Sequence, residues 1–157
     1  MNPRESVARA LAFFEATDDI ALLHELTAEV APRAKRLVGK YLARGTEDTI
    51  PGPADLRPAR EPATRQEAIA TLRKTEDFAL LQVLARAIGR RIEAIEIAAS
   101  ADFPVGARVR VPEQGRYPRR GTLATGVVES TGTSLQVLLD NGETWQGPPS
   151  LAELAGK

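Results

Sequence analysis

Five arginines and a tyrosine fall close together in this chain: Arg108, Arg110, Arg116, Tyr117, Arg119 and Arg120. Guanidinium groups beside an aromatic ring suit phosphate contact combined with base stacking. They suit an acidic protein surface equally well. The plain alternative is a solubilising loop. Trp145, the only tryptophan, either packs inside the domain or joins the same binding face. A second basic run, Arg33, Lys35, Arg36, Lys40 and Arg44, lies at the end of a helical stretch, where cations complement the negative end of the helix dipole.

Other chemistry has few carriers. The chain has one histidine, His24, and no cysteine, which excludes thiol catalysis, disulfides and cysteine-bound metal. Asp18, Asp19, Glu76 and Asp77 stand where helices begin, and negative charge is favoured there without any metal. No phosphate-cradling loop, dinucleotide fingerprint or nucleophile turn is present. The expectation is a non-catalytic adaptor or regulatory protein with no cofactor. A small enzyme working through carboxylates is the minor alternative.

Charge narrows the partner. The chain carries 21 basic and 21 acidic residues, and residues 103–157 carry 6 and 5. A dedicated nucleic-acid binder draws its affinity from a basic excess, so the balance favours a protein partner. Nucleic-acid binding through the arginine-rich loop is the alternative. No apolar run approaches the roughly 18 residues of a membrane span, and the amino-terminal stretch lacks the apolar core of a signal peptide. The expected location is cytoplasmic, with no membrane partner.

The elements that position these residues begin with a repeat. Residues 17–26, T-D-D-I-A-L-L-H-E-L, return at 75–84 as T-E-D-F-A-L-L-Q-V-L, and 8 of the 17 positions from 10 to 26 are identical at this offset of 58. Each copy reads as short helix, tight connection, long helix, with Thr17 and Thr75 as candidate caps. In the second long helix Phe78, Leu81, Ala85, Ile88, Ile92, Ile95 and Ala99 follow steps of three and four. That apolar seam either packs one long helix on the other or pairs two chains into a homodimer through Phe78, Leu81, Ile88, Ile92 and Ile95. Pro32 predicts a kink or break in the first long helix. Pro51, Pro53, Pro58 and Pro62, four prolines within 45–64, predict a non-helical strap between the repeats, over 45–61.

After Ser100 the period changes from helical to alternating. Val105, Ala107, Val109 and Val111 predict a strand with one buried face. Further strands are expected around 122–129, 135–139 and 143–146, with a bulge or bend at Gly126 and a type I′ turn at Asp140-Asn141-Gly142. The residues 150–154 read as one helical turn. The fold class expected is α+β in two modules: a helical domain over 1–101, with repeats at about 3–44 and 62–100, and a small closed barrel over 102–157.

The segments V-R-V-P-E-Q-G-R-Y-P-R-R-G-T-L, residues 109–123, and L-L-D-N-G-E-T-W, residues 138–145, resemble the SH3-like barrels of the KOW and Tudor-like group. In the KOW pattern a strand is followed by glycines, an aromatic residue and a second strand opening on glycine. Gly115, Tyr117 and Gly121 take those parts. The resemblance covers about a third of the chain. It implies a binding module for nucleic acid, ribosomal or polymerase partners, or protein tails.

Overall fold

The computed structural model describes residues 3–43, 61–117 and 119–155, with the side chains of 40–43 excepted. Most of the expected Pro-rich strap, Arg44 and the side chain of Lys40 therefore lie outside the described residues. The described residues are α+β: four helices, then a five-stranded antiparallel sheet. The chain divides into two compact units, Met1–Arg91 and Ile92–Lys157, so the boundary falls inside the fourth helix rather than at its end.

The helical unit has two short and two long helices among the described residues. Helix α1 spans Pro3–Ala16 and α2 spans Ile20–Ala43; α3 spans Arg65–Lys74 and α4 spans Phe78–Ser100. Thus α1 and α3 end, and α2 and α4 begin, at positions 58 apart. The capping residue differs from expectation. Asp19 Oδ1 accepts the Leu22 N–H at 3.1 Å, and Asp77 Oδ1 accepts the Ala79 N–H at 2.9 Å. The aspartate adjoining each helix is the cap, because its carboxylate also meets the positive end of the dipole. The threonines serve the connection instead. Thr17 Oγ1 accepts the Asp19 N–H, and the Thr75 hydroxyl donates back to the Thr71 carbonyl at 2.6 Å.

Helix α1 packs on α3. Phe14, Leu23, Leu26, Leu72, Leu81, Leu84 and Ile88 are almost completely buried. Each such side chain contributes about 1.5–3 kcal/mol when removed from water. Phe78, Leu81 and Ile88 of the apolar seam are thus occupied within a single chain, while Ile92 and Ile95 are only partly buried. Burial of the first three is what packing within one chain requires. Helix α2 passes through the exposed Pro32 as one helix, so the expected break is absent.

Two arginines clasp the helical unit reciprocally. Arg33 on α2 donates to the Leu72 carbonyl at 2.8 Å and to the Thr75 carbonyl at 2.6 Å. Arg91 on α4 donates to the Thr17 carbonyl at 2.8 Å. Arg33 and Arg91 are themselves 58 positions apart, as are Thr17 and Thr75. Each long helix therefore satisfies a carbonyl at the other connection, where no intrahelical donor is available. Arg91 also pairs with Asp18, and Arg65 with Asp19.

The sheet unit has strands β1 (Arg108–Val111), β2 (Ala124–Ser130), β3 (Leu135–Leu139), β4 (Thr144–Gly147) and β5 (Glu153–Leu154), in the order β4-β3-β2-β1-β5. The sheet is not closed: β4 pairs only with β3, and β5 only with β1, among the described residues. Val109, Val111, Val128, Leu135, Val137, Trp145 and Leu151 form its core with Phe103.

Several local expectations change. The first strand starts at Arg108, because Pro104–Ala107 forms a turn with Gly106 at φ 93° and an Ala107 N–H to Pro104 carbonyl bond of 3.0 Å. Val105 consequently lies 65% exposed instead of joining the buried face. At Asp140-Asn141-Gly142 only Gly142 has positive φ, at 90°, whereas a type I′ turn needs two such residues. The bond from the Gly142 N–H to the Leu139 carbonyl, 2.9 Å, marks the turn that forms instead. Gly126 sits in regular pairing, and the irregularity falls between Val128 and Ser130. The 150–154 segment splits into a 3₁₀ turn, Pro149–Leu151, and β5.

Removing either clasp leaves carbonyls at a helix connection without their donor. Arg33→Ala and Arg91→Ala are each expected to lower unfolding stability by about 1–3 kcal/mol, measured by denaturant titration. Arg33→Lys is expected to recover only part of the loss, since one ammonium cannot reproduce the two-carbonyl fork.

Candidate arginine-rich binding surface

The arginines do not form one free cationic patch. Arg108 and Arg110 project from the exposed face of β1. Cross-strand register places Arg108 beside Val127 and Arg110 beside Thr125 and Glu153. Arg108 pairs with Asp140 at 3.0 Å, and Arg110 with Glu153 at 3.2 Å. Arg119, from the loop between β1 and β2, reaches the other oxygen of Glu153 at 3.5 Å. Two carboxylates thus answer three of the five arginines. All these side chains are substantially exposed, so each pair adds little stability. Arg116 contacts Gln114 at 3.1 Å, and Arg116 and Arg120 are exposed with no carboxylate partner among the described residues.

The loop carrying these groups is pinned at several points. The Thr122 hydroxyl donates to Glu113 at 3.3 Å. Gly115 crosses over the end of β4 so closely that a Cβ there would lie 1.7 Å from the Gln146 carbonyl oxygen. Its neighbour in this crossing is Gly147, where a Cβ would lie 2.6 Å from the Gly115 Cα. Only two glycines permit this approach of two backbones. Beyond it, the Tyr117 ring packs against the sheet core and its hydroxyl lies 2.7 Å from Ser150 Oγ.

Ser150 in turn meets Glu96, the single buried charged residue among those described, at 2% exposure. Glu96 belongs to the part of α4 that falls in the sheet unit. Its Oε1 accepts the Ser150 N–H and its Oε2 accepts the Ser150 hydroxyl, both at 2.9 Å. Sequence reading missed Glu96. Along the chain Glu96 is one more carboxylate on α4, between Ile95 and Ile97, and nothing local marks it as buried. Burial pushes the Tyr117 phenol above its ordinary value of 10.0. Arg119 pulls it back, while the Glu96 carboxylate adds to the rise.

Trp145 is a core residue, 4% exposed, and is removed from the binding set. Its position on β4 alternates inward between exposed Thr144 and Gln146. Its indole N–H is buried without a hydrogen-bond partner among the described residues. The second basic run separates likewise. Arg33 is spent on the α3 carbonyls, while Lys35 and Arg36 are exposed. The Lys40 side chain and Arg44 lie outside the described residues. Among the described residues no cluster of three or more His, Asp or Glu is arranged to hold a metal ion. Among the described residues no helix is long and apolar enough to cross a membrane. A groove of about 600 Å³ in the helical unit is lined by Arg9, Glu67, Lys74, Glu76 and Asp77, with Arg9 and Glu67 paired at 2.7 Å.

Compared with known proteins, the chain matches no family model, no curated protein and no solved structure.

Two expectations follow from this geometry. Gly115→Ala places a methyl against the Gln146 carbonyl and is expected to cost about 1–3 kcal/mol. Gly132→Ala, which meets open space, is expected to leave stability nearly unchanged in the same denaturation assay. The raised Tyr117 value means that the folded phenol holds its proton to higher pH than the unfolded one. Its stabilising contribution is complete below 10.0 and falls away as pH rises through the folded value. Tyr117→Phe is therefore expected to lack part of the alkaline loss of stability seen in the parent chain.

Proposed function

We propose that the chain is a non-catalytic adaptor or regulatory protein whose sheet unit recognises a protein partner, with the helical unit as its scaffold. The observation that carries this reading is the neutralisation of Arg108, Arg110 and Arg119 by Asp140 and Glu153. A phosphate-binding surface keeps its cations available, because affinity comes from replacing counterions on the nucleic acid. Here the charges of both signs alternate, and apolar groups lie among them. Leu138 is 44% exposed on the same face of the sheet as Arg108, with Val127 between them in the cross-strand row. Interspersed charge with small apolar areas suits a protein surface of complementary pattern.

The strand order, with β5 returning to pair with β1, supports taking the sheet as a variant of the SH3-like KOW and Tudor-like architecture. In this variant the loop crossing at Gly115 and Gly147 covers the β4 end that a closed barrel would pair. The reciprocal arginines support reading the helical unit as two copies of one helical pair facing each other. On that reading Phe78, Leu81 and Ile88 of the seam are satisfied inside one chain, and the homodimer through the long helices is the weaker alternative. Nucleic-acid binding is the second reading of the sheet unit, and Arg116 and Arg120 are the observation that favours it.

Two measurements separate the readings. Affinity capture from nuclease-treated lysate is expected to retain a discrete protein with the parent chain and to lose it, at least about tenfold, with Leu138→Asp. A mobility-shift titration at low and high salt is expected to show no salt-sensitive complex with nucleic acid. Tight, salt-sensitive binding lost in Arg116→Glu with Arg120→Glu would replace the protein reading with the nucleic-acid one.

A further inference from the structure

A buried carboxylate is expensive, and apolar residues could fill the same volume more favourably. Glu96 nevertheless sits 2% exposed in the sheet unit. Its position accounts for the expense. Both of its oxygens are engaged by Ser150, one by the backbone N–H and one by the hydroxyl. The Ser150 hydroxyl has a single proton. When it donates to Glu96, its lone pairs are left to accept from Tyr117, whose oxygen lies 2.7 Å away. The order of donors is then Tyr117 to Ser150 to Glu96, ending on a charge. Hydrogen bonds that end on an ionised acceptor are the stronger kind.

We propose that Glu96 is a positioning residue for the arginine-rich loop: through Ser150 it fixes Tyr117, and Tyr117 fixes where Arg116, Arg119 and Arg120 are presented. The three linked groups come from three separate places in the sheet unit. Glu96 comes from the end of α4, Ser150 from the 3₁₀ turn before β5, and Tyr117 from the β1–β2 loop. The turn and the loop lack strand pairing of their own at these residues. Besides this common acceptor, the Thr122–Glu113 bond, the Gly115 crossing, the packing of the Tyr117 ring and the Arg119–Glu153 pair hold the loop. The inference does not depend on what the loop binds.

Hydrogen exchange and backbone NMR relaxation on the full chain test it, read residue by residue. Glu96→Ala is expected to speed exchange of the Ser150 amide by roughly 10- to 100-fold and to lower the order parameters of Arg116 and Tyr117 from rigid values toward about 0.6. The Val128 and Val137 amides in the sheet core are expected to stay within about threefold of the parent. Ser150→Ala keeps the backbone N–H bond to Glu96 and removes only the hydroxyl. It is expected to loosen Arg116 and Tyr117 while leaving the 150 amide protected. Glu93→Ala, at an exposed position on the same helix, is the control and is expected to change neither. Unchanged Arg116 and Tyr117 order parameters in Ser150→Ala, or equal loosening of the loop and core in both variants, would overturn the proposal. If Glu96→Ala unfolds the sheet unit, the Ser150→Ala pattern decides alone.

Discussion

A short connection between two helices leaves carbonyl groups that no intrahelical donor can reach, and such groups are costly wherever water is excluded. The helical unit depends on how this need is met. Its connections at Thr17 and Thr75 are each served by an arginine from the long helix of the other repeat. A guanidinium is well suited to this work, since its donors form a planar fork and its charge strengthens every bond it makes. The two long helices are therefore located by directional bonds as well as by the packing of Leu23, Leu26, Leu81 and Leu84. Apolar contact alone would tolerate sliding along a seam that repeats at steps of three and four. The arginines remove that freedom.

The sheet unit meets a comparable problem by different means. Its longest irregular segment, between β1 and β2, must lie against the sheet without the regular ladder that satisfies a strand. Close backbone approach at Gly115 and Gly147 holds one end, and Tyr117 with Ser150 and Glu96 holds the middle. Arg119 and Glu153 tie the far side at the surface. The consequence for function is selective. Three arginines of the cluster are paired with carboxylates of the local surface, and Arg116 and Arg120 have no carboxylate partner among the described residues.

Much of the frame was legible in the sequence. The order of the four helices, the position of their connections, the change of period after Ser100 and four of the five strands all follow from apolar spacing and turn residues. These are local properties, set by geometry within a few residues. The misreadings share a different cause. Asp19 and Asp77 displaced the threonines as caps because the cap is decided by which residue adjoins the helix. The Asn141-Gly142 pair gave a turn with one positive φ, because the turn also has to match the strands it joins. Gly126, read as a bend, is excluded from bearing a side chain by the Leu138 carbonyl on the neighbouring strand. A strand neighbour is invisible to a window of adjacent residues.

The candidate site was legible only as a list of residue types. Sequence grouped Arg108, Arg110, Arg116, Tyr117, Arg119 and Arg120 because they are close along the chain. Tertiary structure decided which of them are answered by Asp140 and Glu153, residues far away in sequence. It also withdrew Trp145 into the core, spent Arg33 on a helix end, and brought Glu96 from α4 to Ser150. What the sequence determined by itself was periodicity: which segments are helix or strand, and where each repeat begins. What only the tertiary structure decided was pairing, because charge and hydrogen bonding act between groups that meet in space, and the chain's order does not specify which groups will meet.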